Sequence, residues 1–377
     1  MTLKKMGRRQ FIKGLSTVLL GAAAPSVLKA NPSPGKTSTL EYRPLGRTGF
    51  KVTSVGMGVM NCSNPAVLDR AFDLGINFYD TADCYMRGKN EEMVGQVFQG
   101  KRDRVFIQTK VHDHDEKQMR QSVERSLRRL RTDYVDVLVW HDLHRAEEVS
   151  NERLFEFMGK MKKEGKARFT GFSSHSNMVT LLKEAARTTY HDVALVSYNF
   201  THSKNLREAV AQAAQAGIGI VAMKTQAGGY KKGKTQGLTP HQAALKYVLD
   251  DRNVATAVPG VTTLEQIDEC AGVMGVSVSR RDLGQLRQYE AFLRGRICTL
   301  CGGCTGVCPS GVCYGDYLRA MIYQDGYERN DLARETLTAA LPSPAADPCA
   351  DCASCAIACR RGLDIKAQMR IARQTLV

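Results

Sequence analysis

Short apolar runs alternate with longer stretches whose apolar positions recur every three or four residues, and this alternation organises most of the chain. The short runs are VTSVGMG from residue 52, INFYDT from 76, VFIQTK from 105, VDVLVWH from 135, ARFTGFS from 167, VALVSYN from 193, GIVAMK from 219 and ATAVPG from 255. Each is brief, rich in β-branched and aromatic residues and bounded by polar or glycine-containing segments, which reads as a buried strand. Between them PAVLDRAFDLG, KQMRQSVERSLRRL and NLREAVAQAAQAG carry helical spacing, the last ending on glycine. Strand and helix repeated eight times over about 250 residues predict an α/β fold in which parallel strands close into a (β/α)8 barrel. A doubly wound open sheet is the alternative, but it wants a G-x-G-x-x-G turn after its first strand, and MGVMNCSNP offers none.

The flanks read differently. A chain of 377 residues with 43% hydrophobic composition has room for one large domain and a smaller one. We assign 40–290 to the barrel and 291–377 to the small domain, preceded by a leader over 1–30 and a linker, NPSPGKTST, over 31–39. The formal charge of +15 raises nucleic acid or an anionic membrane as partners. Six of the basic residues lie in the leader, which has no acid, leaving 47 basic and 38 acidic residues and a net of +9. No nucleic-acid partner is expected on that balance. The leader has a basic start, an apolar run and small residues near its end. Its stretch Gly14 to Leu28 is fifteen residues, short of the roughly 20 that span a bilayer as a helix. This is a signal-peptide pattern, and RRQFIK resembles the twin-arginine export signal. An uncleaved anchor or an incidental basic stretch are the alternatives. The expectation is recognition by the twin-arginine machinery, export of the folded chain to the periplasm, and no stable membrane anchor after cleavage.

Cysteine spacing changes the picture most. Cys298, Cys301, Cys304 and Cys308 form one run, with Pro309 after it, and Cys349, Cys352, Cys355 and Cys359 repeat the pattern. C-x2-C-x2-C-x3-C-P is the spacing of bacterial 4Fe-4S binding, in which the fourth cysteine of a run ligates the other cluster. Zinc is the rival, although zinc ribbons take their ligands as separated pairs. We expect two 4Fe-4S clusters, one on Cys298, Cys301, Cys304 and Cys359, the other on Cys349, Cys352, Cys355 and Cys308. Arg360 stands where the second run would have its proline. The interval GDYLRAMIYQDGYERNDLARETLTAA reads as helix, so the small domain looks like a mainly helical, ferredoxin-like 4Fe-4S domain. Cys62, Cys84, Cys270 and Cys313 lie outside both runs and read as small apolar residues. The leader and the thiols agree, because folded export lets clusters be inserted before the chain meets an oxidising compartment.

In a barrel the chemistry belongs at the C-terminal ends of the strands. Asp80 ends the second run, Lys110 the third and His141 the fourth, and Tyr85 follows Asp80 in the loop. Singly, each has a bland explanation, as a helix cap, a packed aromatic, a snorkelling strand end and a core histidine. Together they describe proton transfer. A lysine ammonium beside a tyrosine favours the phenolate and brings its pKa down from about 10. Asp80 would keep Lys110 charged, and His141 would direct a carbonyl oxygen toward the phenol. Proton transfer of this kind contributes roughly 10² to 10⁴ in rate.

On GINFYDTADCY with EEMVGQVF, on VFIQTK, DYVDVLVWH and GKARFTGFSS, and on GIGIVAMK with VPGVTTLEQIDE, residues 40 to 290 resemble the aldo/keto reductase family. The resemblance implies a TIM barrel that uses NADP(H) or NAD(H) on a small carbonyl or alcohol substrate, with Asp80, Tyr85, Lys110 and His141 as its catalytic tetrad. It also implies cofactor contacts at Ser173, Ser174, Met223 and Gly260. Ser174 replaces a usual asparagine, Leu195 a glutamine, Met223 an aromatic ring, and Gln266 and Cys270 an arginine and an asparagine. An arginine clamp for a 2′-phosphate is not visible, which leaves NADP(H) and NAD(H) both open. Lys231, Lys232 and Lys234 form either a pyrophosphate-facing or a solvated loop. Some bacterial relatives are similar in carrying a cluster-binding tail. Three functions follow: a reductase whose clusters exchange electrons with a redox partner protein, a reductase braced by its clusters, or an electron-transfer or binding protein with an idle barrel.

Overall fold

The computed structural model describes residues 40–112, 115–228, 240–340, 349–350 and 352–377. The leader, the linker and the loop holding Lys231, Lys232 and Lys234 lie outside the described residues. No helix among the described residues is long and apolar enough to cross a membrane.

All eight apolar runs become parallel strands of one sheet: β3 (Met57–Gly58), β4 (Phe78–Asp80), β5 (Phe106–Val111), β6 (Val135–Trp140), β7 (Ala167–Ser174), β8 (Val193–Ser197), β9 (Gly219–Met223) and β10 (Val254–Ala257). They neighbour one another in chain order. Parallel bridges from Val55 to Ala257 and from Gly58 to Gly260 bring the last strand back to the first and close the barrel. The first run does not form a single strand. Its beginning, β2 (Lys51–Thr53), pairs antiparallel with β1 (Tyr42–Pro44), and only Met57–Gly58 enters the barrel.

That hairpin closes the end opposite the strand C-termini. Leu45, Phe50 and Val52 join inward-facing Phe78, Val139 and Val221 in the barrel interior. Gly46 has a φ of +52°, and a Cβ there would stand 2.2 Å from the Gly219 nitrogen, so the plug reaches the barrel wall only with glycine at this turn. The helices form the outer layer. In Glu116–Leu130, Met119, Val123 and Leu127 are buried at helical spacing, with Asp115 capping its start by accepting from Gln118 N at 3.0 Å. In Glu152–Lys163, Phe157, Met158 and Met161 face the barrel, while Phe155 stacks on Tyr190 nearer the surface.

The tail is built on three helices, Tyr314–Met321, Asn330–Ala340 and Ile365–Leu376. The interval read as one helical stretch is broken by a π turn, Ile322–Gly326, and by Glu328 at a φ of +54°. A two-residue ladder, β11 (Cys304–Thr305) against β12 (Ala358–Cys359), joins the two cysteine runs and sets Cys304 opposite Cys359. Gly306 follows at a φ of +93°, where a Cβ would lie 2.0 Å from the Ala356 carbonyl oxygen.

Candidate active site and cysteine centres

Three consecutive strand ends deliver three of the four expected residues to the barrel mouth. Lys110 is buried at the end of β5 and donates to the Asp80 carboxylate at 2.8 Å and to the Thr81 carbonyl at 2.6 Å. Gln108 donates to the other side of Asp80 at 2.7 Å, so the carboxylate is held from two directions. The Lys110 ammonium lies 4.5 Å from the centre of the Tyr85 ring, and the His141 ring stands edge-on to Tyr85 at 6.1 Å. Asp80, Tyr85 and His141 all line one cavity of about 660 Å³.

The titration of the phenol departs from the sequence reading. Burial, and then the charge of Asp80, push Tyr85 well above its usual value. Lys110, ion-paired to Asp80 at 2.8 Å, lies over the face of the ring. Tyr85 is therefore held as a neutral phenol that can give a proton but does not lose it to water. Burial also drives His141 well below the usual imidazole range, helped by the charges of His112 and Lys110. Its Nδ1 is buried without a hydrogen-bond partner among the described residues.

The tail roofs the mouth. Arg319, on the helix Tyr314–Met321, donates to Asp142 at 2.7 Å, and both are mostly buried. Asp142 also accepts from the His175 backbone at 3.1 Å. Lys224, just beyond β9, donates to the Tyr323 hydroxyl at 3.2 Å and lies 4.4 Å and 5.1 Å from the Tyr323 and Tyr327 ring centres. Burial first, and then Arg319, lower Lys224 to about 7. Sequence reasoning missed Asp142, Lys224, Arg319 and Tyr323. The strand-end rule that selected Lys110 and His141 also points at Asp142 and Lys224; nothing local marks Arg319 or Tyr323.

The cysteines of the two runs gather in two places. Cys298, Cys301, Cys304 and Cys359 lie near enough that each burdens the titration of its neighbours. Burial followed by that repulsion pushes Cys298 up to about 12 and Cys304 to about 11. Cys308, Cys349, Cys352 and Cys355 line a second, separate cavity, floored by Ile357 and Met369.

Comparison with known proteins agrees with this geometry. Residues 61–237 match the model of the aldo/keto reductase family, and residues 295–364 match a 4Fe-4S dicluster domain. Over the first of these stretches the chain is similar to the aldo/keto reductases. It is 26% identical over 302 residues to L-galactose dehydrogenase of Arabidopsis thaliana, covering 67% of this chain and 94% of that protein. It is 33% identical over 153 residues to the uncharacterized oxidoreductase YqkF of Bacillus subtilis, spanning 36% of this chain and 49% of that one. A solved aldo/keto reductase from Klebsiella pneumoniae, in complex with NADP and acetate, superposes with a TM-score of 0.56 at 26% identity, over 66% of this chain and 94% of that one.

The barrel mouth opens onto space of dinucleotide size. It shares Met60, Asn61, Gln226 and Gly260 with a lateral groove of about 1360 Å³, along which stand Arg87, Lys89 and Arg334. Asn61 Oδ1 and Thr225 Oγ1 are buried at the mouth with no hydrogen-bond partner among the described residues, as expected where a polar ligand completes them. Met223 and Gly260 line the mouth, and a Cβ at Gly260 would meet only Asn61 Nδ2 at 3.7 Å. The expected serine contacts are occupied by backbone: Ser173 donates to Trp140 O at 3.3 Å, and Ser174 to Leu143 O at 2.7 Å. Leu195 is buried in the barrel interior and Cys270 in the outer layer. Gln266 accepts from Thr262 N at 2.7 Å at the edge of the groove. The dicluster domain fits its metal by the chemistry of its donors. Cys298 and Cys304, raised by burial and by the sulfurs beside them, become thiolates most readily around a cation.

Proposed function

We propose that this oxidoreductase moves hydride between a nicotinamide dinucleotide, NADP(H) or NAD(H), and a small carbonyl or alcohol substrate at the barrel mouth. When bound, the dinucleotide supplies or accepts the hydride. Tyr85 gives the carbonyl oxygen its proton, or takes it back in the reverse direction. Lys110, fixed by Asp80 and Thr81, orients the phenol and stabilises negative charge that develops on it. His141, kept neutral by burial, donates a hydrogen bond to the substrate oxygen. Met223 and Gly260 form the nicotinamide side of the mouth. The Arg319 and Tyr323 roof excludes water, which strengthens each of these interactions. The observation carrying the reading is the 4.5 Å approach of Lys110 to Tyr85 beside His141 in one cavity.

In the tail, the two sets of four cysteines hold two 4Fe-4S clusters. When bound, these supply one-electron storage toward a redox partner protein. The leader RRQFIK directs the folded chain through the twin-arginine machinery to the periplasm. A second reading, an electron carrier with an idle barrel, draws on the roofed mouth and on the raised Tyr85 phenol.

The deciding experiment is anaerobic purification of the full chain, with bound-nucleotide, iron and sulfide analysis, followed by carbonyl turnover of the wild type and of Tyr85→Phe. Removing the proton donor should lower turnover by roughly 10² to 10⁴. Equal rates for the two proteins, or no carbonyl turnover with any bound nucleotide, favour the idle barrel.

A further inference from the structure

A second cluster of metal-binding side chains stands at the barrel mouth, away from the cysteine runs. Cys84 lies in the loop after β4, His112 just beyond β5 and His141 just beyond β6. Three adjacent strand ends thus bring one thiol and two imidazoles together, with one donor atom from each all within 4.8 Å of one another. The two imidazole rings sit 4.2 Å apart between centres. His112 Nδ1 meets the Asp83 carboxylate at 3.3 Å, a carboxylate–imidazole contact of the kind that orients a metal-ligating histidine and leaves its other nitrogen to the metal. His141 Nδ1 is buried and has no partner among the described residues. Leaving such a nitrogen unmade costs about 1–3 kcal/mol, and coordination would satisfy it. His112 is exposed and Cys84 and His141 are half-buried, so an ion has a path from solvent.

One sulfur and two imidazole nitrogens suit a borderline-to-soft divalent cation. Three protein donors beside an open cavity leave a fourth position for water or a substrate oxygen. We propose that Cys84, His112 and His141 bind a divalent cation of the zinc class at the barrel mouth, and that filling this site withdraws His141 from the substrate and switches off carbonyl turnover. The binding half stands on the donors alone; the inhibitory half rests on the carbonyl chemistry proposed above.

The test uses the full chain with its iron–sulfur content intact, given one equivalent of Zn²⁺ anaerobically and measured by zinc K-edge X-ray absorption. The expected spectrum has one sulfur at about 2.3 Å and two nitrogens at about 2.0–2.1 Å, with iron and sulfide unchanged. Cys84→Ser should lose the sulfur shell and weaken zinc binding at least tenfold, and His112→Gln should weaken it without removing the sulfur. Three or four sulfurs around zinc, with matching loss of iron, would mean that zinc had entered the cysteine centres and would overturn the site. Unchanged zinc affinity in both variants would overturn it as well. Zinc bound with the expected shell but without effect on turnover removes the inhibitory half. A barrel with no carbonyl turnover in any condition removes the reductase reading and the inhibition with it, while the absorption spectrum still decides the binding.

Discussion

The barrel and the tail are held together by different means. The barrel has two apolar layers, an interior plugged by the N-terminal hairpin and a shell between strands and helices. Its functional side chains are mounted on strand ends that would exist without them. The tail has one small core, of which Tyr317, Leu318, Leu337, Ile365 and Met369 are members. Against that core pack Cys298, Cys304, Cys308, Cys349 and Cys359 themselves. Among the described residues its ladder is two residues long and includes Cys304 and Cys359. In the barrel the fold places the site, whereas in the tail the site places much of the fold. A domain so small commonly needs a metal to close its balance of burial against chain entropy.

The largest test of this contrast is removal of iron. Chelation under anaerobic reducing conditions, read by hydrogen exchange along the full chain, should strip protection from Tyr314–Met321, Asn330–Ala340 and Ile365–Leu376. The amides of β4 to β9 should remain protected. Cys352→Ser should do the same for the region around its own set first. Persistent protection of the three helices without iron would show that the tail core folds unaided, and the contrast would be lost.

The same division explains what could be read from the sequence. Parallel strands buried on both faces appear as short apolar runs, so all eight were legible. The repeat of the cysteine pattern was legible as spacing, and the ladder sets Cys304 opposite Cys359. The splitting of the first run was hidden: Lys51–Thr53 and Met57–Gly58 share one apolar stretch but belong to different sheets. The roof was hidden for a different reason. Arg319 finds Asp142 across 177 positions of chain, and no local pattern encodes a contact at that distance. The sign of the Tyr85 shift was also out of reach. It depends on how deeply the ring is buried and on how near the Asp80 charge stands, which residue types do not specify.

The next test concerns the seam between the two regions. Arg319 and Asp142 form a mostly buried ion pair at 2.7 Å between roof and mouth. Arg319→Ala leaves Asp142 with the His175 backbone donor and no cation paired to it at that contact, and breaking such a pair costs about 3 kcal/mol. Hydrogen exchange should show the helix Tyr314–Met321 opening on the order of a hundredfold more often, with β5 and β6 unchanged. A double-mutant cycle with Asp142→Ala should recover part of the loss, since removing both charges relieves the uncompensated carboxylate. Additive losses in that cycle would mean that the roof is held by apolar packing, and that the ion pair contributes only orientation.

The smallest effect, and the most local, is the titration of Lys224. Burial and the neighbouring Arg319 lower its ammonium to about 7, so near neutral pH it exchanges its proton beneath Tyr323 and Tyr327. Only the charged form is drawn to the two tyrosine faces. Because its folded value lies below that of the unfolded chain, the unfolded state binds more protons between about pH 7 and the ordinary lysine value of about 10.4, and stability should rise with pH across that window. Competitive amine labelling read by mass spectrometry should give Lys224 a midpoint near 7, well below the ordinary lysine value. Arg319→Met should move that midpoint upward, because it removes a like charge and frees Asp142 to favour the ammonium. A midpoint that stays put in Arg319→Met would assign the shift to burial alone and leave the roof electrostatically silent toward the mouth.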